Sequence, residues 1–578
     1  MDPATGGWFH SPMPLPRLLV HALVAATLLR CVALGAHSFW LDEGATWSWV
    51  HLPTWKDTLF AEANHPPVWW LISRAWAWLF GDGTADLRWP AAIVGVFTVW
   101  LAWCLARRLL VTGSQPRRGG FAPHPEDVPA PRTTALLFAG LVAVSPYLTE
   151  YAQEARMYSL LVAESLGLKL LYLRWLDDGR RRWLVAYALL AALALHTQYF
   201  ALWPVLAHPA HALWLAWRAR ATKTPFRARP IVLATIVAGL LFVPWFLYLA
   251  THYKSISTGE PHDPFTRLGY VLWRIGVGPG LVVIDRARQQ AGPAAVFQDE
   301  APWIALTMLL WVPCLVFGIR ALLRRAGAAS LVLANLLVPI GCALAAHAAG
   351  FHLVHERYLV FLGPWVLLVA LLGVREAGAR WRPALAGALI LLLVAGNVAY
   401  HGAPLALAAQ GSSGTIDGDV VPAVFGTSPD DALTVLHHGH PYGKEPWREA
   451  VRYAARYTDP AEGDLVLLYP WYTRLAWEPY DRGRLPLVEM AGGSDPATWR
   501  AALDKHAGAI ATSRRIVLVL AHEETQDPDE AFRFVRSELA RRWSIGPGVR
   551  FQVAGPVWFD RSWGVRLAFF DRRGDATR

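Results

Sequence analysis

The stretch FWLDEGATWSWVHLPTW, residues 39–55, follows at once on an apolar run that begins near Leu18, and its reading decides the fold. Two carboxylates, Asp42 and Glu43, close a segment long enough to cross a bilayer. From position alone the pair reads equally as a hydrated loop, a helix cap or the working end of an enzyme. Its neighbours Phe39, Trp40, Trp47 and Trp49 hold it at an apolar boundary. A half-buried carboxylate in such a place can serve as a general base.

Outward from that stretch the chain keeps the same character. Of 578 residues, 54% are hydrophobic and 17% charged, where soluble domains carry about 25% charge. Thirty tryptophans suit a protein that meets the boundary between lipid and water. The net charge of +10 comes from Arg clusters that recur between apolar runs, which argues against a nucleic-acid partner and for membrane loops. Cys31, Cys104, Cys314 and Cys342 all lie in apolar runs and read as small buried hydrophobes, not as a disulfide or metal framework. No small-residue cleavage site follows the first apolar run before the acidic pair.

A helix needs about 20 apolar residues to span the hydrocarbon core. Segments of that kind lie at 18–37, 88–110, 133–149, 157–174, 183–198, 199–217, 230–250, 302–320, 328–350, 358–374 and 383–400, about eleven in all. The stretch at 66–81 is short, opens on two prolines and contains Arg74, so it reads as a helix lying at the interface. With it uncounted, the clusters at Arg107–Arg118, Arg174–Arg182, Arg218–Arg229, Arg320–Arg325 and Arg375–Arg382 all fall on one side, which is then cytoplasmic. The opposite face collects Asp42 and Glu43, EYAQEARMY (150–158), HTQYF (196–200), the 251–300 loop and HLVHERY (352–358). Residues 1–405 therefore read as one multi-span membrane domain and 406–417 as a Gly/Ser-rich linker. In 418–578, DLVLLYPWY and RRIVLVLAH look like buried strands flanking a helix that starts at DPATW. The fold class expected is a polytopic α-helical membrane protein with a C-terminal extracytoplasmic α/β domain.

Further residues on that face bear chemistry. In NHPPVWW (64–70), His65 and the free N–H groups of the following helix can form an anion site; the plain alternative is a helix start at proline. Glu154, Arg156 and Tyr158 share the 150–158 turn, where an internal Glu–Arg pair is the plain alternative. Arg357 and Tyr358 stand in HERY, and Arg is the side chain best suited to grip phosphate oxygens. Its alternative is simple snorkelling to the interface. His196, His252, His262 and Asp263 are metal-ligand types but show no metal-site spacing. No phosphate-cradling glycine loop, nucleophile elbow or dinucleotide fingerprint is present.

Taken in order, FWLDEGATW, NHPPVWWLISRAWAWLFG, SPYLTEYAQEARMYSLLV, HTQYF and HERYLVFLGPW resemble the bacterial GT-C glycosyltransferases of the protein-mannosyltransferase-like superfamily, which includes aminoarabinose transferase. The resemblance covers positions 15 to 400. It implies an inverting transfer of a sugar from a polyprenyl-phosphate donor to a hydroxyl of a cell-envelope glycan, lipid or protein. The reaction would take place at the outer face of the bacterial cytoplasmic (inner) membrane. By resemblance Asp42 accepts the acceptor proton with Glu43 beside it shaping its charge, and His65 stands near the donor phosphate, where family members often carry a cationic Lys or His. Glu154 is then the second acid of the site, Arg156 and Arg357 hold the leaving phosphate, and Tyr158 and Tyr358 belong with the substrate-binding set. Some relatives carry an acidic metal ligand where this chain has Asn64, so a divalent metal ion is the one cofactor left open. A transporter or flippase for a lipid-linked sugar is the alternative, with the carboxylates lining its path.

Overall fold

A computed structural model describes residues 16–111, 132–221, 223, 226–253, 263–278, 293–324, 326–351, 353–378, 380–409, 433–438, 447–490, 496–521, 534–535, 537–539, 543–545, 548–553 and 564–572. Among these, sixteen α-helices up to Ala409 form a helical body, and a mixed sheet with its helices follows. In chain order they are α1 (Arg17–Cys31), α2 (Leu41–Val50), α3 (Trp55–Leu59), α4 (Val68–Phe80), α5 (Trp89–Ala106), α6 (Arg132–Ala143), α7 (Pro146–Ala152) and α8 (Tyr158–Asp178). Then come α9 (Arg181–Thr197), α10 (Leu202–Ala221), α11 (Arg229–His252), α12 (Pro264–Val277), α13 (Pro293–Leu323), α14 (Ala326–Ala348), α15 (Gly363–Glu376) and α16 (Arg382–Ala409).

By length and composition, six helices among the described residues can cross a membrane, at 86–110, 229–252, 304–323, 329–348, 356–376 and 382–401. A seventh counts if α6 and α7, bent by 56° at their junction, make one broken span. The other four of the eleven expected segments are helical but fall short for identifiable reasons. Helix α1 has 15 residues and α9 has 17. Helix α8 carries Glu164, Lys169 and Arg174, and α10 carries His208, His211 and Arg218. The 66–81 stretch becomes α4, 13 residues long, with Trp78, Leu79 and Phe80 exposed at its end. At 1.5 Å per residue it covers about 20 Å, too little to span. Within the 251–300 stretch α12 is a helix, while 254–262 and 279–292 lie outside the described residues, as does 410–417 of the expected linker.

Burial sorts these helices. Helix α15 is buried along almost its whole length and α13 lies against it. Two glycines set that approach: a Cβ on Gly318 would stand 1.9 Å from the Val369 carbonyl oxygen, and one on Gly373 would stand 1.8 Å from that of Cys314. Small residues that bring backbones together are the usual means of packing helices in lipid. Helix α11, by contrast, exposes Leu233, Ile236, Leu240, Leu247 and other large apolar side chains. That is the surface of a helix whose solvent is hydrocarbon.

The break between α6 and α7 positions the site and has its own fastening. Ser145 caps α7, its Oγ accepting from the Leu148 N–H at 3.4 Å. The α6 carbonyls freed by the break go to buried side chains. Arg30 donates to the oxygens of Ala143 (2.8 Å) and Val142 (3.0 Å), and Asn397 donates to that of Val144 (2.7 Å). Free carbonyls at a helix C-terminus favour donors of this kind, above all cationic ones.

The chain after Ala409 carries α17 (Trp447–Tyr457), α18 (Arg474–Asp481), α19 (Pro496–Lys505) and α20 (Ala507–Thr512). Its strands are β1 (Leu433–His438), β2 (Leu465–Tyr469), β3 (Leu487–Glu489), β4 (Arg515–Leu520), β5 (Trp543–Ile545), β6 (Gly548–Val553) and β7 (Gly564–Arg572). They run in the order β1-β6-β7-β4-β2-β3, with β5 paired to β7. Strands β2, β3 and β4 are mutually parallel, whereas β7 runs antiparallel to β4, β5 and β6. Every residue of β2 is buried, which is why LVLLY lacks the alternation of a half-exposed strand.

Candidate active site

Helix α2 begins at the acidic pair. Both carboxylates sit in its first turn, where the helix dipole favours negative charge. The two side chains then part company. Glu43 is fully buried and accepts from Arg88 through both oxygens, from Nε at 2.7 Å and from an Nη at 2.7 Å. Its Oε1 also accepts the Ala155 N–H at 2.8 Å. Arg88 in turn donates to the carbonyls of Leu34, His37 and Ser38 at 2.8 to 2.9 Å. Glu43 therefore anchors the helix, and from its place beside Asp42 its charge also acts to raise the Asp42 carboxyl.

Asp42 faces the other way and keeps 27% of its side chain exposed. Its Oδ2 accepts from an Nη of Arg357 at 2.8 Å, and its backbone oxygen accepts from Arg156 at 3.1 Å. Burial alone would push the Asp42 carboxyl up, but Arg156, Arg357 and His65 together outweigh it and hold the group below its ordinary range. Arg156 is buried, and burial disfavours its charge; Asp42, with Tyr158 and Glu62, more than compensates and raises its pKa. The two guanidinium groups are backed by indoles, Arg156 over Trp70 at 4.9 Å and Arg357 over Trp40 at 5.0 Å. Indoles from two of the motifs, Trp40 of the opening stretch and Trp70 of NHPPVWW, thus shape the cation side of the site.

His65 completes the cluster. Its Nε2 lies 3.1 Å from an Nη of Arg156, and its Nδ1 lies 3.0 Å from Glu62 Oε2. His65 thus stands between Glu62 and Arg156 and holds the guanidinium in place. Sequence reasoning does not single out Glu62, although it stands one turn before His65.

One residue ties the motifs together. The Ala155 N–H serves Glu43, while its carbonyl accepts from Thr46 Oγ1 and from Trp69 Nε1, both at 3.0 Å. Helices α2 and α4 thus grip the turn that presents Arg156. Glu154 is buried in the same turn. Tyr158 is buried, stands edge-on to Tyr151 at 5.1 Å and lies within electrostatic reach of Arg156, Arg357 and Asp42. Tyr358 stacks on Phe200 at 4.1 Å, which brings the 196–200 turn to the site. Arg74, the charge inside α4, points back and donates to the carbonyls of Leu52 (2.7 Å) and Thr54 (2.9 Å) and to the Thr58 hydroxyl. It fixes the loop between α2 and α4.

The metal-ligand types stay apart. His196 bonds the Ala192 carbonyl at 2.8 Å, His252 lies 3.1 Å from the Tyr248 carbonyl, and Asp263 caps α12 through the Thr266 N–H at 2.6 Å. His262 lies outside the described residues. Among the described residues no three His, Cys, Asp or Glu side chains come together to hold a metal ion.

No family model matches this chain, and no curated protein matches it by sequence. Solved structures do. One is ArnT from Cupriavidus metallidurans bound to undecaprenyl phosphate, 14% identical, covering 95% of this chain and 97% of that one at a TM-score of 0.46. A second is the Archaeoglobus fulgidus oligosaccharyltransferase, 13% identical, covering 87% and 67% at 0.44. A third is the S. cerevisiae protein O-mannosyltransferase Pmt1-Pmt2 complex bound to the sugar donor, 16% identical, covering 44% and 37% at 0.32. These are GT-C glycosyltransferases, the group whose motifs the sequence resembles. The functional reading rests on the residues of this chain.

Proposed function

We propose that this chain is an inverting glycosyltransferase that moves a sugar from a polyprenyl-phosphate donor to a hydroxyl of a cell-envelope acceptor. The site would face outward from the bacterial cytoplasmic membrane. The observation that carries the reading is the pairing of a partly exposed carboxylate, Asp42, with Arg357, beside Arg156 and its His65 support. Transfer needs a base for the acceptor and fixed positive charge for the leaving phosphate, and here the two lie within one hydrogen bond of each other.

In this reading the acceptor oxygen attacks the anomeric carbon from the side opposite the phosphate. The new carbon–oxygen bond forms as the bond to the phosphate oxygen breaks, and the hydroxyl proton passes to Asp42. The phosphate leaves with its electron pair and gains negative charge, which Arg357 and Arg156 stabilise. Charges already held in place for this purpose are commonly the main source of rate enhancement in such sites. Arg357 has two duties. Without donor it neutralises Asp42 and makes it a weak base. A donor phosphate competes for the same guanidinium and releases the carboxylate, so the base becomes effective when the donor is in place. Glu43 and Arg88 keep α2 in register.

The alternative, transport of a lipid-linked sugar, draws on one observation. Glu164, Lys169, His208 and His211 are buried inside the helical body, where ionisable groups commonly mark a path. Their hydrogen bonds go to uncharged groups or a neighbouring helix: Lys169 with Ser165 at 2.7 Å, Glu164 with Thr197 at 2.8 Å and His211 with Tyr172 at 2.8 Å. That pattern also suits helix–helix packing. Mass spectrometry of envelope glycans and carrier-linked sugars, in cells with and without the protein, separates the two. A transferase leaves one carrier-linked sugar accumulating and one envelope sugar missing when it is removed, and restoring Asp42→Asn does not correct this. Full correction by that variant would remove the transferase reading.

A further inference from the structure

Three successive residues of α2 point at three different parts of the protein. Asp42 meets the arginine cluster and Glu43 meets Arg88. Gly44 meets the chain beyond the helical body, because α18 lies directly against α2. A Cβ built on Gly44 would stand 1.9 Å from the Leu475 carbonyl oxygen and 2.6 Å from its carbon. The contact is backbone to backbone, and no side chain can turn aside to relieve it.

The loops on either side of that contact are fastened to the same domain. The Phe39 N–H donates to Tyr480 Oη at 2.5 Å, and Tyr480 lies 3.5 Å from the Thr84 hydroxyl. Arg482 pairs with Asp82 at 3.0 Å. Arg448 donates to the carbonyls of Gly35, at 3.1 Å, and Ala36, and its N–H donates to Ser38 Oγ at 3.2 Å. The segment 34–38 is thus held from one side by Arg88 of the body and from the other by Arg448 of the domain. Phe39, Trp47, Leu87 and Ala155 pack in one apolar cluster, with Tyr480 against it. Polar fastening and apolar contact act on the same short stretch that leads into Asp42.

We infer that the sheet-bearing domain is a positioning part of the active site: through α18 and Gly44 it sets the placement of α2, and hence of the Asp42 carboxylate. This rests on the reading of Asp42 as the base. Arg156, His65 and Arg357 stand on the helical body, and α2 reaches them only through the Asp42 contacts and the Ala155 turn. The domain therefore governs turnover more than phosphate binding.

The test uses the full-length protein in lipid nanodiscs with three variants, Gly44→Ala, Tyr480→Phe and Arg482→Ala. The readouts are hydrogen exchange over 41–50, equilibrium binding of polyprenyl phosphate, and sugar transfer. Exchange over 41–50 is expected to rise about tenfold in Gly44→Ala and less in the other two, as a helix loses its backing. Turnover is expected to fall by up to about 100-fold for a shift of roughly 1 Å, with polyprenyl-phosphate affinity changing by no more than the roughly fivefold that one partly exposed ion pair is worth. Unchanged exchange in all three variants overturns the inference, and so does a parallel loss of phosphate binding and turnover. Tyr480→Phe and Arg482→Ala add no bulk, so they decide the matter if Gly44→Ala does not fold. If the wild-type protein transfers no sugar, the functional reading fails, while the exchange measurement still decides whether the domain holds α2.

Discussion

Arg357 and Asp42 are 315 positions apart in the chain, and their side chains meet at 2.8 Å. That bond joins the proposed base to the proposed phosphate clamp and bears directly on affinity. Asp42→Asn should abolish sugar transfer and at the same time bind polyprenyl phosphate more tightly, because the carboxylate no longer competes for the guanidinium. A partly exposed pair of this kind is worth up to about 1 kcal/mol, so the gain should be up to about fivefold. Equilibrium binding of polyprenyl phosphate to the two proteins measures it. Weaker binding by the variant would mean that Arg357 does not pass from one anion to the other.

The same exchange predicts how activity follows pH. In the free protein Asp42 is held below the ordinary carboxylate range, with burial opposing and the cations prevailing. Once a phosphate draws Arg357 away, the opposing burial remains and the pKa must rise. The profile of kcat/KM reports the free protein and that of kcat reports the complex. The acid limb of kcat should therefore lie at higher pH than that of kcat/KM. For stability the sign follows from the depressed pKa: the contribution of Asp42 is full above its unfolded value and is lost as pH falls through the folded one. Coincident acid limbs would count against the handover.

Glu43 should behave unlike its neighbour. Removing one partner of a buried, hydrogen-bonded ion pair costs about 3–5 kcal/mol, and Glu43→Ala leaves Arg88 buried among carbonyls with its charge uncompensated. Thermal unfolding in detergent should drop clearly for Glu43→Ala and little for Asp42→Asn. Equal unfolding temperatures for the two variants would undo the division of labour between anchor and base.

That division shows where the sequence can be read and where it cannot. The motifs bring Asp42, His65, Arg156 and Arg357 to one site because each sits in an ordered stretch with its own aromatic neighbours. Glu43 reads only as the carboxylate that shapes the charge of Asp42, because its partner, Arg88, lies 45 residues on at the foot of a span, with nothing local to mark it. Hydropathy locates the helices but not which of them can span, since α8 and α10 bury charged and imidazole groups that lower their apolar character. The contact of Gly44 with Leu475 leaves no trace in either segment, because a close backbone approach is a property of the pair. The strands β2 and β4 are legible as continuous apolar runs, whereas their order in the sheet depends on pairings that no single strand encodes.

The bend between α6 and α7 depends on a buried cation. Arg30 is fully buried and donates to carbonyl oxygens, those of Ala143 and Val142 at the break and that of Ala26 in its own helix. Gln153, at the end of α7, donates to the Val32 carbonyl at 2.8 Å, so the bend and the end of α1 form one fastened corner. The turn 153–157 that carries Arg156 hangs from that corner. Arg30→Leu strands two buried carbonyls and should cost about 2–4 kcal/mol in stability. It should also lower sugar transfer, because Arg156 loses its fixed support. Arg30→Lys keeps the charge but loses the fork that reaches both oxygens, so it should fall between the two. Unfolding temperature and transfer rate, measured on the same preparations, check the order wild type, Arg30→Lys, Arg30→Leu. A leucine variant as stable and as active as the wild type would show that the bend holds without its cation.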